Sequence, residues 1–266
     1  MTKETGNISI HTENILPIIK KWLYSDKDIF IRELVSNASD AITKFRKLVA
    51  MGEAEAADDE KYQIKVVVDK DNKTLKFIDN GIGMTAEEVK KYINQIAFSG
   101  AQDFIERYKE KTDESGQIIG HFGLGFYSAF MVSGRVQIDT LSYTKDASPV
   151  RWTSSGGTEF EMDESDRTGR GTTVTLYISE DSVEFLDEFK VREVLVKYCS
   201  FMPYEIYLID EAKKDTKKEE EKQEPKPLND THPLWLKSPK DCSDEEYKEF
   251  YRKVFFDFNE PLFWIH

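Results

Sequence analysis

The chain has 266 residues, of which 39% are hydrophobic, enough to bury one large core or one core plus a fragment. Fifty acidic against 37 basic residues leave a net charge of −13, which argues against nonspecific binding of nucleic acid or of an anionic membrane by the surface as a whole. Two distant cysteines, Cys199 and Cys242, have no metal-type spacing and read as reduced thiols of a cytoplasmic protein.

Residues 1–6 lack the apolar core of a signal peptide, and no run approaches the ~18 apolar residues of a membrane span. Alternation at residues 8–11 predicts a short strand, and the apolar stripe from Ile15 to Leu23 predicts a helix over 13–24. Residues 28–49 form the next predicted helix. Ile31, Leu34, Val35, Ala38, Ile42, Phe45 and Leu48 make its apolar face. Glu33, Asn37 and Asp40 follow one another at steps of four and three, so they project together as a second, polar row. A solvated face explains such a row in an isolated helix. Asparagine, however, is a poor interior residue, which favours a specific task.

Residues 64–69 and 74–78 read as strands joined by a turn at 71–73. The second strand runs into Asp79-Asn80-Gly81-Ile82-Gly83-Met84, after which Thr85 and Glu88 have the spacing of a capping box. Alone, Asp79-Asn80-Gly81 reads as an ordinary Asx turn. Yet an acid at a strand end can accept from an exocyclic amine such as that of adenine, and the glycines permit positive φ and close approach of a flat ligand. Helices are expected over 87–96 and 102–111, with a break at 98–100 and a polar loop at 112–116. Residues 116–126 carry four glycines with Phe122 and Phe126 among them, then a buried helix at 126–132. Such a loop offers free backbone N–H groups to an anion. Period two then marks strands at 136–141, 150–153, 158–162 and 172–178, expected as an antiparallel meander. A helix at 185–199 and a strand at 205–209 close the unit. Residues 211–227 are mostly Lys and Glu and read as a solvated linker. Aromatic residues return after 228, too many for about 40 residues to bury alone.

Three segments, Glu33-Leu34-Val35-Ser36-Asn37-Ala38-Ser39-Asp40, Asp79-Asn80-Gly81-Ile82-Gly83 and Gly120-His121-Phe122-Gly123-Leu124-Gly125-Phe126, in this order resemble the ATP site of the family that holds gyrase-type topoisomerases, histidine kinases, the MutL repair proteins and heat-shock protein 90. The wider wording from Ser9 to Phe201 is similar to the N-terminal domain of a heat-shock protein 90 chaperone of the bacterial HtpG type. The resemblance implies an α+β fold, a two-layer α/β sandwich with helices on one face of a mixed, mainly antiparallel sheet. It divides the chain into an ATP-binding domain at 1–210, the linker at 211–227 and the truncated start of a middle domain at 228–266.

It also implies roles. Asp79 reads the adenine amine, with Thr172 supporting the contact through water; Gly83, Met84 and Phe126 lie beside the nucleotide. Gly120, Phe122, Gly123, Gly125 and Phe126 bring backbone donors to the phosphates. Asn37 offers an amide oxygen to Mg²⁺, which takes phosphate and water oxygens for the rest. Glu33 orients or deprotonates the attacking water. Asp40 steadies local hydrogen bonds or is simply a solvated acid, and Asn94 carries over from a less matching stretch. His121 more often points to solvent than to a phosphate. Phe98 stands where many members carry a lysine, and 100–120 matches a mobile lid. The implied reaction is ATP hydrolysis to ADP and phosphate, closing a homodimeric chaperone around client proteins with co-chaperones. The family's middle domain supplies an arginine worth ~10³–10⁵ in rate, so turnover by this chain alone is expected to be very slow. Two other readings remain: a module that senses ATP or ADP without hydrolysis, and another ATPase of the gyrase, histidine kinase or MutL group.

Overall fold

A computed structural model describes residues 26–95, 100–108, 118–120, 123–214, 226–255 and 257–266. The strand expected at 8–11, the helix at 13–24, the loop at 112–116, Phe98, His121 and Phe122 lie outside the described residues. Helix α1 spans Ile29–Ala50. All seven residues of its predicted apolar face are buried, joined by Phe30. Each of these side chains except that of Ala38 contributes about 1.5–3 kcal/mol through removal from water.

Strands β1 (Gln63–Asp69), β2 (Thr74–Asp79), β3 (Ser133–Leu141), β4 (Val150–Ser154), β5 (Glu161–Glu164), β6 (Gly171–Ile178) and β7 (Glu205–Asp210) form one sheet in the order β5-β4-β3-β6-β2-β1-β7. Every neighbouring pair is antiparallel except β1 and β7, which are parallel. The sheet is therefore mixed and mainly antiparallel, in an α+β fold. Alternation of side chains places Phe77 and Asp79 of β2, Ile138 and Thr140 of β3, and Thr172 and Val174 of β6 among the residues facing α1. Phe30 meets Phe77 and Phe185 edge-on, at centroid distances of 6.2 and 4.9 Å, and fixes α1 against the sheet.

The four strands expected as a meander, β3 to β6, do not form a simple one. β3, β4 and β5 pair consecutively, but β6 returns past both to pair with β3 on one side and β2 on the other. This crossing carries Thr172 beside Asp79. The strand expected at 158–162 begins later, at Glu161. Ser154 Oγ donates to Glu159 O at 2.8 Å and takes the preceding residues into the turn, leaving Phe160 44% exposed.

Helix α2, Ala86–Tyr92, starts with the expected capping box between Thr85 and Glu88 and ends four residues early. Helix α3 spans Gly100–Tyr108, so Gly100 opens this helix. The segment expected as a buried α-helix at 126–132 is a 3₁₀ helix, Gly125–Met131, with Ser128 Oγ donating to Gly125 O at 2.5 Å. Another 3₁₀ turn at Glu180–Leu186 leads into α4, Glu188–Cys199. After β7 comes the short α5, Glu211–Lys214; residues 215–225 of the expected linker lie outside the described residues.

The later segment docks back on the first body. Asn229 Nδ2 donates to Met202 O and Tyr204 O at 2.8 Å each, and its Oδ1 accepts from Ile206 N at 2.8 Å. Trp235 and Phe250, the latter on α6 (Asp244–Phe255), cluster with Phe201 at centroid distances of 4.8–5.7 Å. α6 itself has no buried residue, and Leu236, Phe258, Leu262 and Ile265 are exposed, as the excess of late aromatic and apolar residues predicts.

Candidate functional site

A cavity of about 1000 Å³ is lined by α1, the ends of β2 and β6, the turn after β2, helices α2 and α3, and the glycine segment. Its volume suits a drug- or nucleotide-sized molecule. Glu33, Asn37, Asp40, Asp79, Gly83, Met84, Gly120, Gly123, Gly125, Phe126 and Thr172 all line it. Three segments widely separated in sequence therefore share one wall.

Asp79 sits at the last position of β2 and is buried. Its Oδ1 accepts from Gly81 N at 2.8 Å and from Thr172 N at 3.3 Å. The first bond is the Asx turn expected from the sequence, formed by a residue that also lines the cavity. Oδ2 accepts nothing from the described residues and is the acceptor left for a ligand. Burial pushes the carboxyl pKa up to about 6, against the pull of the Gly81 N–H, the Arg167 guanidinium, the Thr172 N–H and Arg170.

Two arginines clamp the turn from outside the cavity. Arg167 Nη2 donates to Asp79 O at 2.9 Å and its Nε to Gly169 O at 2.8 Å. Arg170 donates to Asn80 O and to Gly81 O, pairs with Glu60, and lies over the Phe45 ring. Ile82 N donates to Ala41 O at 2.9 Å, and Tyr143 N donates to Ile82 O at 3.0 Å, so the turn is also stitched to α1 and to the end of β3. Gly83 has φ +65°, and a Cβ there would stand 1.8 Å from Leu141 O. The positive φ expected of these glycines is present here, and the missing Cβ is required by packing against Leu141 itself.

On α1 the predicted row is present. Asn37 is exposed to the cavity and its side chain makes no hydrogen bond to the described residues. Asp40 is buried and accepts from Ile119 N at 2.8 Å and from Gly120 N at 2.7 Å. It ties the glycine segment to the helix, the steadying role foreseen; the solvated-acid alternative fails. A Cβ on Gly120 would come within 3.2 Å of Asp40 Oδ2 and 3.5 Å of Asn37 Oδ1, and one on Gly125 within 2.5 Å of Glu33 Oε2. Glu33 pairs with Arg32 through Oε1 at 2.6 Å.

Phe126 packs edge-on against Trp152 at 5.7 Å. Asn94 is corrected: its Oδ1 accepts from the Trp152 indole at 2.9 Å, and it does not line the cavity, so it braces the Phe126 wall from behind. Phe122 and His121 cannot be placed, lying outside the described residues.

Sequence reasoning missed Lys44. It continues the row of Asp40 by four residues, lines the cavity, and its ammonium is held below the ordinary lysine range by burial, against the attraction of Asp40, Glu88 and Asp103. The four-residue step from Asp40 was the available signal. Thr140 was also missed: its Oγ1 accepts from Met84 N at 3.0 Å and meets Thr172 Oγ1 at 2.9 Å. No group of three or more His, Cys, Asp or Glu side chains arranged for a metal occurs among the described residues, and none of their helices is long and apolar enough to cross a membrane.

Comparison with known proteins adds an independent line. Residues 25–161, slightly more than half of the chain, match the family model described as histidine kinase-, DNA gyrase B- and HSP90-like ATPase. Residues 209–266 match the model described as Hsp90 protein. The chain is 50% identical over 263 residues to the chaperone protein HtpG of Bacteroides thetaiotaomicron, covering 99% of this chain and 38% of that protein. It is 46% identical over 261 residues to the chaperone protein HtpG of Porphyromonas gingivalis, covering 98% and 38%. With that of Fusobacterium nucleatum it shares 38% identity over 269 residues, covering 100% and 42%. The chain thus spans about two-fifths of the length of these curated relatives.

Proposed function

Because this chain belongs to the histidine kinase-, DNA gyrase B- and HSP90-like ATPase family, we propose that its cavity binds ATP and ADP and is the hydrolytic site of a chaperone ATPase. The observation that carries the reading is Asp79: a buried carboxylate with one oxygen tied down by backbone N–H groups and the other left over in a nucleotide-sized cavity. That oxygen accepts from the adenine amine, with Thr172 beside it. Met84 and Phe126 give apolar contact to the base. The backbone of Gly120, Gly123 and Gly125 meets the phosphates, held to α1 by Asp40.

Asn37 fits a site for Mg²⁺. Its amide is unengaged by the described residues, and Gly120 passes close to its Oδ1. A single protein ligand suffices for an ion that keeps waters and takes phosphate oxygens. When bound, the ion neutralises phosphate charge. Glu33, one helical turn before Asn37, accepts the proton of the attacking water or orients it, once its Oε1 is released from Arg32. Lys44 adds an amine to the same wall. The domain division at 210 and 228, the homodimer, the client proteins and co-chaperones belong to this reading of a protein of the relatives' full length.

Calorimetric titration of the chain with ADP, and with ATP in Mg²⁺, tests binding; no heat at millimolar nucleotide would refute it. In a protein of the relatives' full length, Glu33→Ala should leave ADP affinity within about threefold and lower phosphate release by at least about 100-fold. Unchanged release would favour the non-hydrolysing sensor.

A further inference from the structure

Thr140 is fully buried on β3, outside the cavity wall, behind two residues that form it. Its Oγ1 lies 3.0 Å from Met84 N, 3.2 Å from Gly171 O and 2.9 Å from Thr172 Oγ1. Met84 N–H can only donate and Gly171 O can only accept. The single Thr140 proton therefore has two destinations. Pointed at Gly171 O, it leaves Thr140 to accept the Thr172 proton, and Thr172 meets the cavity as an acceptor. Turned onto Thr172 Oγ1, it satisfies that oxygen and frees the Thr172 proton for the cavity. Thr140 thus decides the hydrogen-bonding sense of its cross-strand neighbour without touching a ligand.

A purine edge with an amino group beside a ring nitrogen needs one acceptor and one donor. Asp79 Oδ2 is the acceptor. Thr172, whose N–H binds the other oxygen of Asp79, is the adjacent side chain able to donate, directly or through one water. We propose that Thr140 is a positioning residue which, by turning its proton onto Thr172, makes Thr172 a donor toward the ring nitrogen beside the purine amine. This rests on the nucleotide reading above and adds to it a residue that selects the ligand edge. The same hydroxyl, by accepting from Met84 N, holds the loop that carries Met84 in register with β6, so both sides of the purine slot hang on one side chain.

The test couples a protein edit to a ligand edit. ADP and 1-deaza-ADP, which keeps the amine and lacks the ring nitrogen, are titrated calorimetrically into wild type, Thr140→Val and Thr140→Ser. Wild type should prefer ADP by about three- to tenfold, the worth of one neutral hydrogen bond. Valine keeps the Thr172 proton in place but removes the bond that holds that hydroxyl toward the ring nitrogen, so the O–H is free to turn away and the preference should fall to less than about twofold, while serine should keep it. A purely structural role would lower both affinities by the same factor. An undiminished preference in the valine variant, or loss of the preference in the serine variant, overturns the proposal. Thr140→Ala repeats the measurement should valine fail to fold. If ADP does not bind wild type, or binds Asp79→Asn as well, both readings fall. If ADP binding depends on Asp79 but the preference ignores Thr140, this inference alone falls.

Discussion

Replacing Asp79 by asparagine separates recognition from folding. The amide oxygen can take the place of Oδ1 and keep the bonds from Gly81 N at 2.8 Å and Thr172 N at 3.3 Å. The amide nitrogen then occupies the position of Oδ2 and points a donor at the adenine amine. Removing one side of a buried, charged hydrogen bond costs about 2–5 kcal/mol, so ADP affinity should fall by about 30- to 4000-fold. Stability should move the other way. Burial raises the Asp79 pKa from 3.8 to about 6, which corresponds to about 3 kcal/mol of disfavoured charge in the folded state at neutral pH. A neutral amide has no such charge. The variant should therefore melt no lower than wild type at pH 7.5 while losing nucleotide, measured by calorimetry and by thermal denaturation followed by circular dichroism. ADP affinity retained within about threefold in a folded variant would mean that the base binds elsewhere, and would refute the reasoning from Oδ2.

Three further outcomes are expected. The ligand favours the ionised carboxylate, so ADP affinity should be flat above about pH 7 and fall as pH drops through about 6; over the same window, from about 3.8 to about 6, the folded chain binds a proton that the unfolded chain has lost, so the Asp79 contribution to stability declines as pH rises, and potentiometric or NMR titration of Asp79 checks both signs. Gly83→Ala should destabilise by about 3 kcal/mol or more, because a side chain at φ +65° would meet Leu141 O at 1.8 Å, and a melting temperature within a degree of wild type would contradict the packing described. Burial pushes the Cys199 thiol up to about 12, so iodoacetamide at pH 8 should modify the more accessible Cys242 and leave Cys199 untouched until the chain unfolds, as counted by mass spectrometry.

Local chemistry made much of this legible. The apolar face of α1, the box at Thr85 and Glu88, and the hairpin of β1 and β2 each follow from side chains within a few residues of one another. The polar row of α1 was visible because helical spacing is fixed. The site itself became legible only when three motifs were taken together, since an Asx turn and an adenine-reading acid look alike in a single stretch. What stayed hidden was long-range. The insertion of β6 between β3 and β2 depends on sheet order, which period-two alternation cannot report, and its pairing with β2 brings Thr172 beside Asp79. Asn94 was misplaced for a similar reason: its partner Trp152 lies 58 residues away. Arg167 and Arg170 look like loop cations in sequence, and only folding shows them holding the backbone of residues 79–81.

Glu33, Asn37, Asp40 and Lys44 are graduations on one ruler. From first to last the axial rise of α1 is about 16 Å, a length comparable to an extended nucleotide. A rigid scale cannot be recalibrated piecemeal: inserting or deleting one residue between Asn37 and Asp40 would swing every later mark by about 100° around the axis and turn half the scale away from the ligand. Tuning of this cavity is therefore confined to exchanging side chains at fixed stations, and changes of chain length belong to the loops that cross over the scale.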